Sequence, residues 1–332
     1  MVTRIAINGF GRIGRIVFRI AIKEKGLKVV AINNPTGPEI MCNLLKYDSV
    51  HGRFDGTVKP GKSSLIVNGK KIPYFQERDP TKLPWDKLKV DIVAECTGVF
   101  RTRQLCMQHI NAGAKKVLLS APSKDEVDFD VVYGVNEKGY NKRKHVIVSN
   151  ESCTTNCVAP IAKVLNDAVG IEKALLTTVH SYTNDQMILD HTHHKDPRRG
   201  RAGAINIIPT TTGAAIATTR VIPELKGKMD GISMRVPTPD GSIIDLVCQL
   251  KKPVTKEKID SLFKNAANKK YKGIIEYSED PIVSSDIIGS DYSAVYDSHA
   301  TMMLGNRWVK IIAWYDNEWG YSRRMVDMMK KM

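Results

Sequence analysis

A strand, a glycine-rich turn, a helix and a second strand follow one another in residues 2–33. Residues 2–8 and 27–33 have the apolar patterns of strands. Between them, Gly9, Gly11 and Gly14 stand in a Gly-x-Gly-x-x-Gly spacing, and this turn leads into a segment with helical periodicity. In this setting the first glycine permits a tight turn, the second lets the backbone approach a pyrophosphate, and the third allows close packing of helix on sheet. The segment therefore predicts a βαβ unit that binds a dinucleotide.

Further strand-like runs alternate with helical or long connecting segments up to residue 148. The strand-like runs are residues 65–67, 90–95, 116–119, 131–135 and 146–148, and a helical pattern covers residues 102–112. This alternation predicts an α/β fold with a Rossmann-type, doubly wound parallel sheet. Ligands in such sheets bind beyond the carboxyl ends of the strands. Thr97 and Ser120 follow two of these runs, so they are candidate cofactor contacts as well as typical turn residues.

The residue after the second strand bears on the choice of cofactor. NAD-binding units usually carry an acidic residue about 20 positions after the glycine turn, where it accepts hydrogen bonds from the ribose 2′-hydroxyl. Here that position is occupied by Asn34. An amide still bonds a hydroxyl but does not repel a 2′-phosphate. Both NAD and NADP are therefore candidate cofactors, and dual use or a preference for NADP is expected.

Cys153 stands where a strand-like run gives way to a helical pattern. Residues 146–148 are apolar, Asn150 and Ser152 interrupt the run, and Cys153 opens the helix. A helix N-terminus stabilises a thiolate, and together with a basic neighbour it lowers a cysteine pKa from its usual value of about 8.5. The pattern indicates a nucleophilic thiol of lowered pKa. The alternative is a cysteine packed in the core beside capping hydroxyls.

The second half of the chain has longer strands. They are residues 174–182, 229–236, 243–250 and 308–315, with a helix at 255–267 and a polar loop at 183–201. This pattern predicts an α+β domain with a mainly antiparallel sheet and helices on one face.

A chain of 332 residues is expected to form about two domains. We predict a dinucleotide-binding domain over residues 1–152, completed by a C-terminal helix at 318–332, and a catalytic domain over residues 153–317.

Composition argues against several classes of protein. Hydrophobic residues make up 42% of the chain, and no apolar run approaches the ~18–20 residues that a bilayer span requires. The N-terminal residues lack the pattern of a secretory signal. We therefore expect a cytoplasmic protein with no membrane partner. The six cysteines are sparse, and no Cys and His spacing fits a zinc motif, so neither a disulfide framework nor a metal site is predicted.

Charge and cysteine spacing leave two alternatives open. The formal net charge of +15 is compatible with a nucleic-acid-binding protein. The lysine pairs are spread along the chain, without a basic block or an aromatic stripe, so no specific nucleic-acid partner is expected. Cys157 lies four residues after Cys153, which is compatible with a thiol redox sensor, although this same-face spacing fits packing better than a disulfide.

Six motifs occur in order along the chain. They are Asn8 to Arg15, Ser152 to Cys157, Thr178 to Gln186, Ile208 to Ala215, Met234 to Pro239 and Trp314 to Tyr321. Together they closely resemble the motifs of the phosphorylating glyceraldehyde-3-phosphate dehydrogenases, and the resemblance covers essentially the whole chain. It implies a homotetramer that converts glyceraldehyde 3-phosphate and inorganic phosphate to 1,3-bisphosphoglycerate in glycolysis or gluconeogenesis. Erythrose-4-phosphate dehydrogenase, which acts on a longer sugar, is the rival within the superfamily.

The resemblance also implies roles for individual residues. Cys153 is the nucleophile that forms a hemithioacetal and then a thioester, and His180 is the base that takes the hydroxyl proton during hydride transfer. Thr183 and Arg235 hold the substrate phosphate. The attacking phosphate is served by Ser152, Thr154, Arg199, Thr212 and Gly213. Residues that match positions touching the cofactor are Arg12, Ile13, Arg78 and Ser120, with Asn317 fixing the nicotinamide carboxamide.

The chain departs from the usual pattern of this family at three places. Asn34 replaces the common aspartate, and His191 and Thr192 stand where NAD-specific relatives often carry a leucine–proline or glycine–proline pair. Both departures argue against strict NAD specificity. Glu151 precedes Ser152 where alanine is usual, and a carboxylate there is expected to raise the pKa of the neighbouring thiol modestly.

Overall fold

A computed structural model describes residues 2–193 and 196–332, and the chain divides into two units. The first unit comprises Met1–Val131, Glu137–Glu151 and Ser322–Met332. The second comprises Val132–Asn136 and Ser152–Tyr321. Within the described residues, no helix combines the length and the apolar character that crossing a membrane requires.

The described residues of the first unit form a nine-stranded sheet and three α-helices that lie wholly within the unit. Its strands are β1 (Thr3–Asn8), β2 (Leu27–Asn33), β3 (Tyr47–Asp48), β4 (Gly52–Arg53), β5 (Val58–Gly61), β6 (Ser64–Val67), β7 (Lys70–Phe75), β8 (Ile92–Glu95), β9 (Lys116–Leu119), β10 (Phe129–Asp130) and β11 (Ile147–Ser149). Its helices are α1 (Arg12–Ala21), α2 (Pro38–Lys46) and α3 (Arg103–Asn111). A separate two-stranded sheet pairs β3 with β4.

The strand order of the large sheet is β10-β11-β9-β8-β1-β2-β7-β6-β5. Every pair from β10 to β7 is parallel, and β5 and β6 extend the edge as antiparallel strands. The predicted Rossmann-type, doubly wound parallel sheet is thus confirmed. The connections after β1 run in one direction to β2 and in the other to β8 and β9. In such sheets this reversal is where a ligand crevice opens at the carboxyl ends of the strands.

The glycine turn lies at this reversal, directly after β1. Gly9 has φ +88°, and a Cβ at this position would lie 2.7 Å from the carbonyl carbon of Cys96. A Cβ on Gly14 would lie 2.0 Å from the carbonyl oxygen of Gly9. Side chains at either position would therefore collide with backbone, which explains why the tight turn and the close packing of α1 both require glycine.

In the part of the second unit that the structure describes, there are an eight-stranded sheet and three α-helices that lie wholly within the unit. Its strands are β12 (Ile171–Ser181), β13 (Ile208–Thr211), β14 (Met229–Val236), β15 (Ser242–Leu250), β16 (Ile275–Ser278), β17 (Ala294–Asp297), β18 (Met302–Leu304) and β19 (Trp308–Tyr315). Its helices are α4 (Cys153–Ala168), α5 (Ala214–Val221) and α6 (Lys256–Asn268). The last helix, α7 (Trp319–Lys331), begins in the second unit and ends in the first.

This second sheet is mainly antiparallel, as predicted. Its order is β13-β14-β12-β15-β19-β17-β16, with β18 also paired to β19. Two pairs, β12 with β14 and β16 with β17, are parallel. Along β12 the residues Ala174, Leu176, Thr178 and His180 are buried, so the alternation of a strand places His180 on the core-facing side.

Helices α4 and α6 supply one side of the second unit's core. Val158, Ile161 and Leu165 of α4 and Phe263 of α6 belong to one cluster with the buried residues of β12, β15 and β19. Elsewhere on these strands apolar side chains are exposed, among them Leu175, at 66% of its surface. The expectation of helices on one face of the sheet agrees with this distribution.

One predicted strand is wrong. Residues 133–136 form a turn, and the strand lies just before residue 131 as β10, which pairs with β11. Val131 and Val132 are fully buried, and the Val132 N–H bonds the side chain of Asn136 at 2.9 Å. The N–H of Val131 still bonds the carbonyl oxygen of Ser149, the last residue of β11, at 2.8 Å, but the chain then turns, so this buried apolar run resembles a strand without continuing one. The polar loop predicted at 183–201 has no helix or strand among its described residues, and His194 and Lys195 lie outside them.

Candidate active site

Cys153 is the first residue of α4. The side chain of Ser152 caps the helix by accepting the N–H of Thr155 at 3.1 Å. The Cys153 side chain is half-buried, and its Sγ lies 3.3 Å from Nε2 of His180. The structure therefore brings the predicted nucleophile and the predicted base within hydrogen-bond distance of each other.

His180 and Arg235 are register partners on the parallel strands β12 and β14. His180 Nδ1 lies 2.7 Å from the carbonyl oxygen of Ser181, and an Nη1 of Arg235 lies 3.0 Å from the same Nδ1. The carbonyl oxygen can only accept and the guanidinium can only donate, so the two contacts favour opposite tautomers of the imidazole; the shorter contact, to the carbonyl, favours a hydrogen on Nδ1. In that tautomer Nε2 is the acceptor nitrogen, and Nε2 is the one that faces the Cys153 thiol.

The protonation states follow from burial and from the cation of Arg235. Burial, reinforced by the Arg235 charge, lowers the pKa of His180 to about 3. Burial also raises the pKa of the Cys153 thiol, although Arg235 and hydrogen bonds from Thr154 oppose this shift. The expected lowering of the thiol pKa is thus wrong, because desolvation outweighs the helix terminus and the cation. The resting pair is a neutral thiol beside a neutral imidazole.

A chain of polar contacts leads from His180 to two arginines. Arg235 Nη1 donates to Thr183 Oγ1 at 3.1 Å, and the Thr183 hydroxyl in turn donates to Asp185. Asp185 also forms an ion pair with Arg199 at 3.0 Å. Thr183, Arg235 and Arg199, which sequence reasoning assigned to two phosphate sites, therefore belong to one network joined by Asp185.

The remaining candidates for the attacking phosphate lie at two helix starts. Ser152 and Thr154 flank Cys153, and the Thr154 hydroxyl lies 2.9 Å from that of Tyr315. Thr212 and Gly213 immediately precede α5, which packs against α4. Helix N-termini of this kind favour anions.

Sequence reasoning gave no role to Tyr315 or Asp185. The Tyr315 hydroxyl lies 2.9 Å from the hydroxyls of both Thr154 and Thr178, and its ring meets the edge of His180 at a centroid distance of 6.0 Å. Tyr315 thereby braces the base and the start of α4 together. Both residues lie inside the six motifs, but a motif does not show which side chains are in contact. Only the strand register could have predicted the place of Tyr315 beside the site.

Asn317 belongs to the second unit and is buried. Its Oδ1 accepts the hydroxyl of Ser242 at 2.6 Å, which fixes the orientation of the amide. Its amide nitrogen is then turned away from Ser242 and is available as a donor to a carbonyl. This is the chemistry that a nicotinamide carboxamide needs from a side chain.

The first unit carries the other cofactor candidates. Gly11 is exposed, a Cβ added to it would meet nothing within 4 Å, and the first turn of α1 contains no acidic residue. An anionic pyrophosphate therefore fits against this helix start. Ile13, half-buried, lies in the same first turn, and Arg12 there bonds Asp48 at 2.7 Å.

Four further candidates lie near the carboxyl edge of the sheet. Asn34 follows β2, and its Oδ1 accepts the N–H of Phe10 at 3.1 Å, so its carbonyl braces the glycine turn. Thr97 follows the end of β8, and Ser120 follows β9 directly. Arg78 is exposed in the segment after β7. His191 is half-buried and Thr192 is exposed in the polar loop of the second unit.

Glu151 has an unusual backbone. Its φ is +53°, its side chain is fully buried, and its N–H donates to Ser149 Oγ at 3.2 Å. The Asp240 carboxylate raises the pKa of Cys153, and the expected effect of Glu151 on that thiol stays a prediction. Nothing in the structure explains the choice of glutamate at position 151.

A Rossmann-type unit joined to an α+β unit with a cysteine–histidine pair is the architecture of a nucleotide-dependent dehydrogenase. Two family models match the chain. Residues 3–103 match "Glyceraldehyde 3-phosphate dehydrogenase, NAD binding domain", and residues 152–317 match "Glyceraldehyde 3-phosphate dehydrogenase, C-terminal domain".

Curated relatives match over nearly the full length. Glyceraldehyde-3-phosphate dehydrogenase 2 of Bacillus subtilis is 52% identical over 99% of this chain and 96% of its own length. The corresponding enzymes of Geobacillus stearothermophilus and Streptomyces coelicolor are 53% and 54% identical, each over 99% of this chain and 97% and 98% of their own lengths. The chain belongs to the glyceraldehyde-3-phosphate dehydrogenase family.

Proposed function

We propose that the chain oxidises and phosphorylates glyceraldehyde 3-phosphate to 1,3-bisphosphoglycerate, with NAD or NADP as the cofactor. The observation that supports this most strongly is the 3.3 Å contact between Cys153 Sγ and His180 Nε2. A thiol that faces an unprotonated imidazole is a nucleophile paired with its base. The family assignment supplies the aldehyde.

The covalent steps follow from this pair. Cys153 Sγ bonds the aldehyde carbon, and its proton passes through His180 to the carbonyl oxygen, which gives a hemithioacetal. His180 then takes the hydroxyl proton as the hydrogen on that carbon leaves as hydride, and a thioester remains. An oxygen of inorganic phosphate bonds the thioester carbon, the carbon–sulfur bond breaks, and the sulfur leaves as a thiolate. The Arg235 cation and the start of α4 favour that thiolate.

Two anionic groups must be held near Cys153. We assign the substrate phosphate to Arg235 and Thr183, which are already in contact at 3.1 Å. We assign the attacking phosphate to a second set, which comprises Ser152, Thr154, Arg199, Thr212 and Gly213. A guanidinium presents paired donors that match phosphate oxygens, so an arginine in each set provides both charge and orientation.

The dinucleotide would be held by the glycine turn, Arg12, Ile13, Asn34, Arg78, Thr97, Ser120 and Asn317. When bound, its nicotinamide supplies the hydride acceptor for the reaction. The first unit would carry most of these contacts and so act as the dinucleotide-binding domain, while the second unit would act as the catalytic domain. Use of NADP beside NAD rests on Asn34, His191 and Thr192, none of which places a carboxylate against a 2′-phosphate.

We further propose that the protein works as a homotetramer in the cytoplasm, in glycolysis or gluconeogenesis. Support for an oligomer comes from exposed apolar side chains on the second sheet. Leu175, Ile232 and Trp308 are 66%, 47% and 45% exposed. Apolar clusters of this kind on a soluble protein usually mark protein contacts.

Site-directed variants test the chemistry. Cys153→Ser should abolish oxidation while cofactor binding persists, because the cofactor contacts lie elsewhere. His180→Asn should lower kcat at least about a hundredfold, the usual scale for loss of a general base. A rate near that of the wild type in either variant would overturn the mechanism. Comparison of kcat/KM for glyceraldehyde 3-phosphate and erythrose 4-phosphate tests the substrate, and faster turnover of the latter would overturn that assignment.

A further inference from the structure

Three buried polar side chains lie at the carboxyl ends of adjacent parallel strands in the first unit. Asn8 ends β1, Asn33 ends β2 and Glu95 ends β8, and their exposed fractions are 1%, 4% and 0%. The three strands are neighbours in the order β8-β1-β2. A carboxylate is costly to bury without hydrogen-bond partners, so the contacts of Glu95 determine what this group of side chains does.

The Glu95 carboxylate accepts four hydrogen bonds. Its Oε2 accepts from Asn8 Nδ2 at 2.6 Å and from His109 Nε2 at 3.0 Å. Its Oε1 accepts from the backbone N–H of Thr97 at 2.8 Å and from the Thr97 hydroxyl. All four donors converge on the two oxygens, which is the arrangement that satisfies a buried anion.

The direction of the His109 bond follows from Trp85. The indole Nε1 of Trp85, which can only donate, lies 3.1 Å from His109 Nδ1. Nδ1 is therefore the acceptor, and Nε2 carries the hydrogen that points at Glu95. His109 and Trp85 are both 0% exposed. The imidazole is thus held as a donor to the carboxylate.

The same side chains are tied to the glycine turn. Asn8 Oδ1 accepts from Asn33 Nδ2 at 2.6 Å, and the Asn33 carbonyl accepts the N–H of Gly9 at 2.8 Å. Cys96, the residue after Glu95, lies so close to Gly9 that a Cβ there would approach its carbonyl carbon to 2.7 Å. Glu95 thus connects Thr97 on one side with the Asn8–Gly9 turn on the other.

We propose that Glu95 is a positioning residue of the dinucleotide site, which sets the placement of Thr97 relative to the glycine turn. The inference rests on the proposed function, in which both Thr97 and the turn contact the cofactor. Glutamine at position 95 has one acceptor and one donor end. Whichever way the amide points, its NH2 group faces two donors, either those of Thr97 or those of Asn8 and His109, so the junction must rearrange.

The test is cofactor binding by full-length Glu95→Gln, with Glu126→Gln as the matched control because Glu126 is exposed. We expect the Kd for NAD, measured by fluorescence titration, to rise at least about tenfold in Glu95→Gln and to stay unchanged in the control. At saturating NAD, kcat should fall less than about threefold, because the Cys153–His180 pair is not altered. The rate of Cys153 alkylation by iodoacetamide should match that of the wild type.

Three other results would overturn the proposal. One is an unchanged Kd in a folded Glu95→Gln variant. Another is a parallel loss of NAD binding, kcat and alkylation, which would indicate general damage. If Glu95→Gln does not fold, His109→Leu is measured in its place, because it removes one of the four donors to the Glu95 carboxylate. The Kd of His109→Leu for NAD should rise by about threefold. An unchanged Kd in this variant is the third contrary result. Failure of the wild type to bind NAD or NADP would instead overturn the proposed function itself.

Discussion

Asp240 provides a prediction about stability whose sign and slope follow from the structure. The residue lies between β14 and β15, is 1% exposed, and accepts the N–H of Gly241 at 2.9 Å. Burial and the neighbouring carboxylates of Asp316 and Glu318 raise the pKa of Asp240 to about 9. Asp240 is therefore a protonated acid at neutral pH.

The change we consider is Asp240→Asn, which keeps the shape and the carbonyl acceptor but carries no titratable proton. In the unfolded chain an aspartate has a pKa of about 3.9, so between pH 4 and pH 9, roughly, the folded protein holds one more proton than the unfolded chain. Its folded pKa is raised, so the stability that Asp240 contributes is greatest at low pH and is lost as pH rises, by about 1.4 kcal/mol per pH unit. Asp240→Asn lacks this loss. Its free energy of unfolding should therefore rise relative to that of the wild type by roughly 2.7 kcal/mol from pH 6 to pH 8.

The assay is urea unfolding at pH 6, 7 and 8 at one protein concentration. Asp230→Asn is the matched control, because Asp230 also accepts the N–H of a following glycine, at 2.7 Å, but is exposed. The control should leave the pH dependence unchanged. If the stability of Asp240→Asn runs parallel to that of the wild type across these pH values, the argument that Asp240 holds a proton is refuted.

Two further predictions concern the site. Asn34→Asp should raise the ratio of kcat/KM for NAD to that for NADP at least about tenfold, since a carboxylate repels a 2′-phosphate yet still accepts the Phe10 N–H; an unchanged ratio would show that Asn34 does not discriminate. Arg235→Gln should slow the alkylation of Cys153 at pH 8, because the arginine cation lowers the pKa of the thiol and its loss leaves less reactive thiolate. Unchanged or faster alkylation would contradict that electrostatic role.

Much of the fold was predictable because its strongest signals are local. The glycine spacing after β1 dictates a backbone that only glycine adopts, at Gly9, or that tolerates no Cβ, at Gly14. The long strands β12, β14, β15 and β19 each have enough residues to reveal their pattern. Short elements were missed, including β13, β16, β17, β18, α2 and α5, because a few residues carry little periodicity.

The contacts that side chains make through tertiary packing could not be predicted from the sequence. The place of Cys153 at the start of a helix was predicted, but the net direction of its pKa was not, because desolvation depends on everything packed around the sulfur. The same holds for Tyr315, which reaches Thr154 and Thr178 from sequence positions far away. Glu95 and His109 likewise carry no sequence signal of their contact, and only the tertiary structure brings their side chains within 3.0 Å of each other.

The central claim is that the sulfur of Cys153 forms the bond to the substrate carbonyl. It is tested most directly by mixing the protein with one equivalent of glyceraldehyde 3-phosphate and NAD in the absence of phosphate, followed by an acid quench and mass spectrometry of its peptides. We predict a single burst of reduced cofactor and an equal amount of 3-phosphoglyceroyl thioester on the Cys153 peptide, which added phosphate discharges. Reduced cofactor without that adduct, or an adduct on a different residue, would contradict the account.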